Sequence, residues 1–155
     1  MTDFYPPEES SAAPASQMST VVPHSREAEE AVVGAVLINP EVYYDIAQFL
    51  AADDFYIHRN KWIWESFGRL HEQRIPVDML TLSEELERAG QLAEIGGSAY
   101  LTSMINQVPT SLNAEAYGRI VEENSIRRKM INAANQIASL AYKGDTIDIV
   151  MGEAE

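Results

Sequence analysis

The stretch NAEAYGRIVEENSIRRKMINAANQIASLAYK, residues 113–143, decides the architecture. Within it Tyr117, Ile120, Val121, Met130, Ala134, Ile137 and Ala141 recur at helical spacing, and neither proline nor any glycine after Gly118 interrupts them. At ~1.5 Å per residue a helix of this length reaches roughly 45 Å, more than a head of short helices needs, so it is expected to project or bend. Asn113 is placed to begin it, and Gly144 with Asp145 to end it. Thr146 then stands where it can cap a further helix, whose apolar residues Ile147, Ile149, Val150 and Met151 run out at Glu155.

The segments before residue 113 are shorter and strongly punctuated. Ser25 is a predicted N-cap, with Glu27, Glu29 and Glu30 in the first turn near the positive end of the helix dipole. Ala28, Ala31, Val32, Ala35 and Val36 give that helix a small-residue face suited to close packing. Asn39 and Pro40 end it and open a second helix with the stripe Val42, Ile46, Phe49 and Leu50. After the connection Asp53, Asp54, Phe55, Tyr56, a third helix carries Trp62, Ile63, Phe67 and Leu70 as far as about Arg74, and Pro76 breaks it. Thr81 and Glu84 have capping-box spacing before a fourth helix with Leu82 and Leu86, closed by Gly90. Gly96 and Gly97 turn the chain into a fifth, with Tyr100, Leu101, Met104 and Ile105, ending before Pro109.

No segment alternates with period two, so the expectation is all-α: a compact head of about five helices over residues 23–112, then a helical hairpin over 113–155 whose second helix is truncated. Residues 1–22 are rich in Pro, Ser, Ala and Glu and read as a disordered tail, with Phe4 and Tyr5 its one candidate docking pair.

Composition narrows the chemistry. A formal net charge of -13 over 155 residues is a poor match for phosphate backbones, so little direct DNA binding is expected. The absence of cysteine removes disulfides and thiolate metal sites, and no run is apolar enough to span a bilayer, which together suggest an intracellular protein. His24, His58 and His71 lack the four-residue spacing of paired helical metal ligands. The adjacent carboxylates Asp53 with Asp54, and Glu84 with Glu85, read as caps and solvated faces, not as acid/base pairs. None of Lys61, Lys129 and Lys143 follows a glycine, so there is no phosphate-binding loop. Arg127, Arg128 and Lys129 are the sole basic cluster, open to two readings: contact with DNA or an acidic partner, or neutralisation of Glu122 and Glu123 one turn earlier.

Several stretches, in this order, carry a resemblance: Pro23, His24, Ser25, Glu27, Ala28, Glu29; Asp53 to Tyr56; Pro76, Val77, Asp78 before Leu82; Gly96, Gly97, Tyr100, Leu101; Pro109, Thr110, Asn113, Tyr117; and Ile120 to Glu123. From about Pro23 to Glu155 the chain resembles the N-terminal domain of the DnaB-type replicative DNA helicases of bacteria. The resemblance implies a helical head and hairpin, paired copies within a hexameric ring, and docking of the DnaG primase C-terminal domain. A helicase loader is a further candidate partner. It also implies a cytoplasmic protein whose ATP and magnesium belong to a RecA-like domain beyond this chain, so no catalytic residue, cofactor or metal is expected here. By the same likeness Glu27, Tyr100, Ile131 and Ile137 are candidate primase contacts. Met130, Ala134, Ile137 and Ala141 are candidates for subunit association, since an apolar stripe on a projecting helix needs cover. The competing expectations are a helical DNA-binding module using Arg127, Arg128 and Lys129, and a small enzyme with a site hidden in the fold.

Overall fold

The computed structural model describes residues 21–108, 110–144 and 147–154. The tail up to residue 20, the Pro109 stop, the Asp145 stop, the Thr146 cap and the side chains of Ile149 and Val150 lie outside the described residues.

Among the described residues every regular element is helical, in the order α1 (Arg26–Ile38), α2 (Val42–Ala47), α3 (His58–Glu72), α4 (Met79–Arg88), α5 (Leu92–Ile95), α6 (Gly97–Gln107), α7 (Ala114–Tyr142) and α8 (Ile147–Ala154). Short 3-10 turns, Ala52–Asp54 and Ser111–Asn113, precede α3 and α7. The expectation of an all-α chain with one long helix holds.

α1 runs through the centre of the head because it is apolar almost all round, a pattern stable only when neighbours cover both sides. Its principal neighbours are α6 and α7. The predicted cap is present: Ser25 Oγ accepts the Ala28 N–H at 3.2 Å. The approach of α6 depends on Gly34, where an added Cβ would sit 2.6 Å from the Met104 carbonyl oxygen and collide with the Val108 side chain. The core that α1 shares includes Ile63, Phe67 and Leu70 of α3 and Leu101 and Met104 of α6, and continues to Leu82 and Leu86 of α4 and Ile95 of α5, all buried. Each such side chain contributes about 1.5–3 kcal/mol of transfer free energy.

Several boundaries differ from expectation for local reasons. α3 ends at Glu72, and Arg74 takes a left-handed φ of 58°, so an arginine makes the turn usually left to glycine. The Ile75 N–H then donates to the Leu70 carbonyl at 2.9 Å and closes the helix end. The capping box of α4 is not Thr81 with Glu84 but Asp78 with Thr81: Asp78 Oδ1 accepts the Thr81 N–H at 2.8 Å, and Thr81 Oγ1 accepts the Asp78 N–H at 3.0 Å. Asp78 has extended backbone and α4 begins at Met79, which makes Thr81 the third helical residue and not the cap. α5, a single turn, was not expected, because four residues are too few to display a period.

α7 starts after the Ser111–Asn113 turn, which Thr110 opens by accepting the Leu112 N–H at 3.2 Å; the Asn113 side chain makes no cap bond. Ala114, Gly118, Val121 and Ser125 are buried on one side of it. Gly118 permits the closest approach, since a Cβ there would meet Phe49 Cζ at 3.1 Å and Ile46 Cγ2 at 3.2 Å. The helix then projects as expected: residues 129–139 are all exposed, and α8 folds back against its far end.

Candidate functional site

Three surfaces on this scaffold hold the residues singled out from the sequence. The first is a groove of about 370 Å³ lined by Ser25, Glu27, Ala28, Ala31, Gln107, Tyr117 and Ile120. It exists because the small side chains of α1 leave space between the end of α6 and the first turns of α7. Glu27 is exposed at its edge, and Ile120 is 43% exposed. An apolar floor with one carboxylate beside it suits a docked apolar side chain flanked by a basic group.

Beneath the neighbouring surface a polar chain runs inward. The Tyr100 hydroxyl donates to Asn60 Oδ1 at 2.5 Å, and Asn60 Nδ2 donates to Glu29 Oε1 at 3.3 Å. Glu29 also accepts the Tyr56 and Ile57 N–H groups at 3.1 and 3.2 Å, holding the lead into α3 against α1. Glu30 lies 3.4 Å from the Tyr100 hydroxyl and takes Arg26 Nε at 2.8 Å, while the Arg59 guanidinium rests 4.3 Å over the Tyr100 ring. Burial pushes the Glu29 carboxyl above its ordinary range, against the opposing pull of the Ile57 and Tyr56 N–H groups. Burial, reinforced by the Glu30 charge, raises the Tyr100 phenol to about 12. Tyr100 is only 8% exposed, so what it offers at the surface is the placement of Arg59 more than its own ring.

The second surface is the outer half of α7. Met130 is 65% exposed, Ile131 43% and Ile137 49%, with Ala134 and Ala141 exposed between and beyond them. Ile147 and Met151 of α8 are likewise exposed. A run of apolar side chains left in water on a projecting helix is the kind of surface that a partner can cover. The first two surfaces share α7, whose Ile120 belongs to the groove while Ile131 and Ile137 lie further along the helix.

The third is the basic cluster, and its three side chains do not form one free patch. Arg127 Nη2 pairs with Glu123 at 2.8 Å on the helix surface. Arg128 turns back to the head, donating to the Pro23 carbonyl at 2.8 Å and the Asp54 carbonyl at 2.6 Å. Lys129 Nζ lies 3.4 Å from Asp54 Oδ1. Glu122 pairs with Arg119 at 3.1 Å, so of the two glutamates expected to be neutralised by the cluster only Glu123 is.

The reading of the paired carboxylates as caps and solvated faces holds for the exposed Asp53 and Glu84 and needs correction for their neighbours. Asp54 is buried and accepts the Ala51 N–H at 2.8 Å and the Ser125 hydroxyl at 2.7 Å. Glu85 is buried between Arg69, at 2.8 Å, and Arg88, at 3.0 Å. Together with Glu29 and Glu30 these are the buried carboxylates the sequence reading missed. Their one local signal is position: Glu29 follows Ala28 into the buried face of α1, and Glu85 falls between Leu82 and Leu86.

His24 stacks on Tyr56 at 4.3 Å, His58 on Trp62 at 6.4 Å, and His71 packs edge-on against Tyr44 at 4.8 Å. Among the described residues no group of three or more His, Cys, Asp or Glu is arranged to hold a metal ion, and no helix is long and apolar enough to cross a membrane.

This geometry has close parallels among known proteins. Residues 21–123 match the family described as DnaB-like helicase N terminal domain. The replicative DNA helicase DnaB of Geobacillus stearothermophilus is 40% identical over 136 residues, covering 87% of this chain and 30% of that protein. The chain thus spans about a third of the length of the curated relatives it matches. The crystal structure of the N-terminal domain of DnaB helicase from Mycobacterium tuberculosis superposes with a TM-score of 0.83 at 30% identity, covering 86% of this chain and 96% of that one. The N-terminal domain of DnaB helicase from Helicobacter pylori, described together with its interactions with primase, superposes with a TM-score of 0.65 at 25% identity over 75% of this chain and 90% of that one. The chain belongs to the DnaB-like helicase N-terminal domain family.

Proposed function

We propose that this domain is the assembly and primase-docking part of a replicative DNA helicase. The observation that carries the proposal is the uncovered apolar face of outer α7, with Met130, Ile131 and Ile137 exposed on a helix that projects from an otherwise well-packed head. Met130, Ala134, Ile137 and Ala141 are assigned to association with a second copy, in pairs within a hexameric ring. Ile131 and Ile137, with Glu27 on the head, are assigned to the C-terminal domain of the DnaG primase, and Tyr100 supports that surface from beneath. Ile137 belongs to both sets, which makes self-association and primase docking neighbouring or competing uses of one helix.

The full-length protein is assigned ATP-driven unwinding of duplex DNA in the cytoplasm, with ATP and magnesium bound by a motor domain; this rests on the names and greater length of the relatives. A helicase loader is a further proposed partner, to which we assign no particular surface. The DNA-binding alternative is the weaker reading, because Arg128 and Lys129 are directed to Pro23 and Asp54 and the chain carries a net charge of -13.

Light scattering with and without the cognate primase C-terminal domain tests the proposal. We expect concentration-dependent self-association and a discrete rise in mass on adding the primase domain. A strictly monomeric protein that ignores the primase domain would refute it.

A further inference from the structure

α7 leaves the head through a set of polar contacts that neither the buried core nor the exposed apolar face explains. Ser125 is the last buried residue of the helix, and its hydroxyl donates to Asp54 Oδ1 at 2.7 Å. One turn later the Arg128 guanidinium donates through Nη1 to the Pro23 carbonyl and through Nη2 to the Asp54 carbonyl, at 2.8 and 2.6 Å. These acceptors come from two different segments, the lead into α1 and the 3-10 turn before α3. The same guanidinium lies 5.5 Å from the centre of the Tyr56 ring, whose other neighbour is His24. From Lys129 to Ser139 every residue is exposed.

The mechanical consequence follows from helix geometry. α7 touches the head closely at Gly118, against Phe49 and Ile46, and is tied down again at Arg128. Ten residues of helix separate the two points, about 15 Å, and roughly 21 Å more lie between Arg128 and Tyr142. Val121 and the Asp54-bonded Ser125 are buried between these points. Without Arg128 the rod is therefore gripped only over about 10 Å, from Gly118 to Ser125, and its longer free end can tilt; the Arg128 contacts extend the grip by one turn and fix its direction. A planar guanidinium can bridge two carbonyls at fixed separation, whereas a lysine ammonium is a point donor on a flexible stem.

We infer that Arg128 is a positioning residue that fixes the direction in which the outer half of α7 leaves the head. It thereby sets the spacing between the Glu27 groove and the Ile131–Ile137 face. The directional role stands on the contacts alone; its effect on partner binding rests on the docking function proposed above.

Because the chain has no cysteine, two can be introduced and spin-labelled without background reaction. Glu87→Cys on α4 and Asn135→Cys on outer α7 place labels at exposed positions on either side of the tie. Pulsed dipolar spectroscopy at high dilution is expected to give one narrow distance distribution for the parent. With Arg128→Ala the distribution should widen about twofold, while thermal unfolding stays cooperative. A distribution superimposable on the parent's would overturn the inference. Should Arg128→Ala not fold, Arg128→Lys carries the same test: partial widening is expected, and a parent-like distribution overturns the role given to the guanidinium fork. Titration with the primase C-terminal domain separates the two readings. Affinity should fall about tenfold in Arg128→Ala, with the label distance narrowing on binding. Failure of the parent to bind would remove the docking function while leaving the distance result to decide the role of Arg128.

Discussion

The two halves of α7 repeat one spacing with opposite outcomes. Ala114, Gly118, Val121 and Ser125 follow one another by four, three and four residues and are all buried. Met130, Ala134, Ile137 and Ala141 follow by the same intervals and are all exposed. The buried set is the less apolar of the two, with a glycine and a serine where the exposed set has two alanines, and an alanine and a valine where it has methionine and isoleucine. Burial on the inner half depends on small side chains that admit α1 and α2, and on a hydroxyl that finds Asp54. The outer half carries more apolar surface and no neighbour from the head. Spacing therefore marks the face that seeks cover, and the rest of the chain decides whether it is covered.

Substitutions in the two regions should separate them most sharply where the inner half rests on buried polar groups. Glu29→Ala removes the acceptor of two N–H groups in the segment that follows Asp54 and leaves Asn60 Nδ2 without its acceptor. We expect a loss of about 3 kcal/mol in urea unfolding, against a change within ~0.5 kcal/mol for the exposed Glu27→Ala. Gly118→Leu should cost about 2 kcal/mol by forcing α7 away from Phe49 and Ile46. The matching change on the outer half, Ala134→Leu, should leave the unfolding midpoint of the dilute protein unchanged and alter only association. Equal losses from Gly118→Leu and Ala134→Leu would break the distinction.

A smaller effect concerns Tyr100, whose folded phenol ionises near 12 against about 10 in the unfolded chain. Its raised value stabilises the fold fully below about pH 10, and that contribution is lost as pH rises through the folded value. In an alkaline absorbance titration of the seven tyrosines, one should ionise last, together with loss of helix. Tyr100→Phe should abolish that late step at a cost of about 1 kcal/mol at neutral pH, from the hydrogen bond to Asn60. Tyr43, also raised by burial, remains as the internal comparison. An unchanged late step in the phenylalanine variant would remove Tyr100 from this role.

Much of the fold was legible because its punctuation is local. The Ser25 cap, the end of α1 at Asn39 and the Gly90 closure act within a few residues, and each is where the sequence places it. The second helix is not, since α2 opens at Val42 behind an Asn39–Glu41 turn and ends at Ala47, leaving Phe49 and Leu50 beyond it. The Asp78–Thr81 box was misplaced by three residues because Thr81 also has the right spacing to Glu84, and spacing alone does not say which residue has extended backbone. The buried carboxylates were illegible for a different reason. Glu29 meets Asn60 and Asp54 meets Ser125, pairs 31 and 71 residues apart, and a charged residue reads as exposed until its distant partner is known. The basic cluster was legible in part: Arg127 pairs with Glu123, as one of its readings expects, while the helix turns Arg128 inward to a carbonyl that only the folded head supplies. The exposed stripe Met130, Ala134, Ile137 and Ala141 was legible from its spacing, whereas the exposure of Ile126 and Tyr142 on the same helix was not.

The central claim is that outer α7 is a docking surface and not a part of the core. Isothermal titration calorimetry with the cognate primase C-terminal domain tests it most directly, comparing the parent chain with the double variant Ile131→Asp, Ile137→Asp. The predicted result is saturable binding by the parent, loss of measurable heat in the double variant, and an unfolding midpoint common to both. Equal binding by parent and variant, or unfolding of the variant, would contradict it.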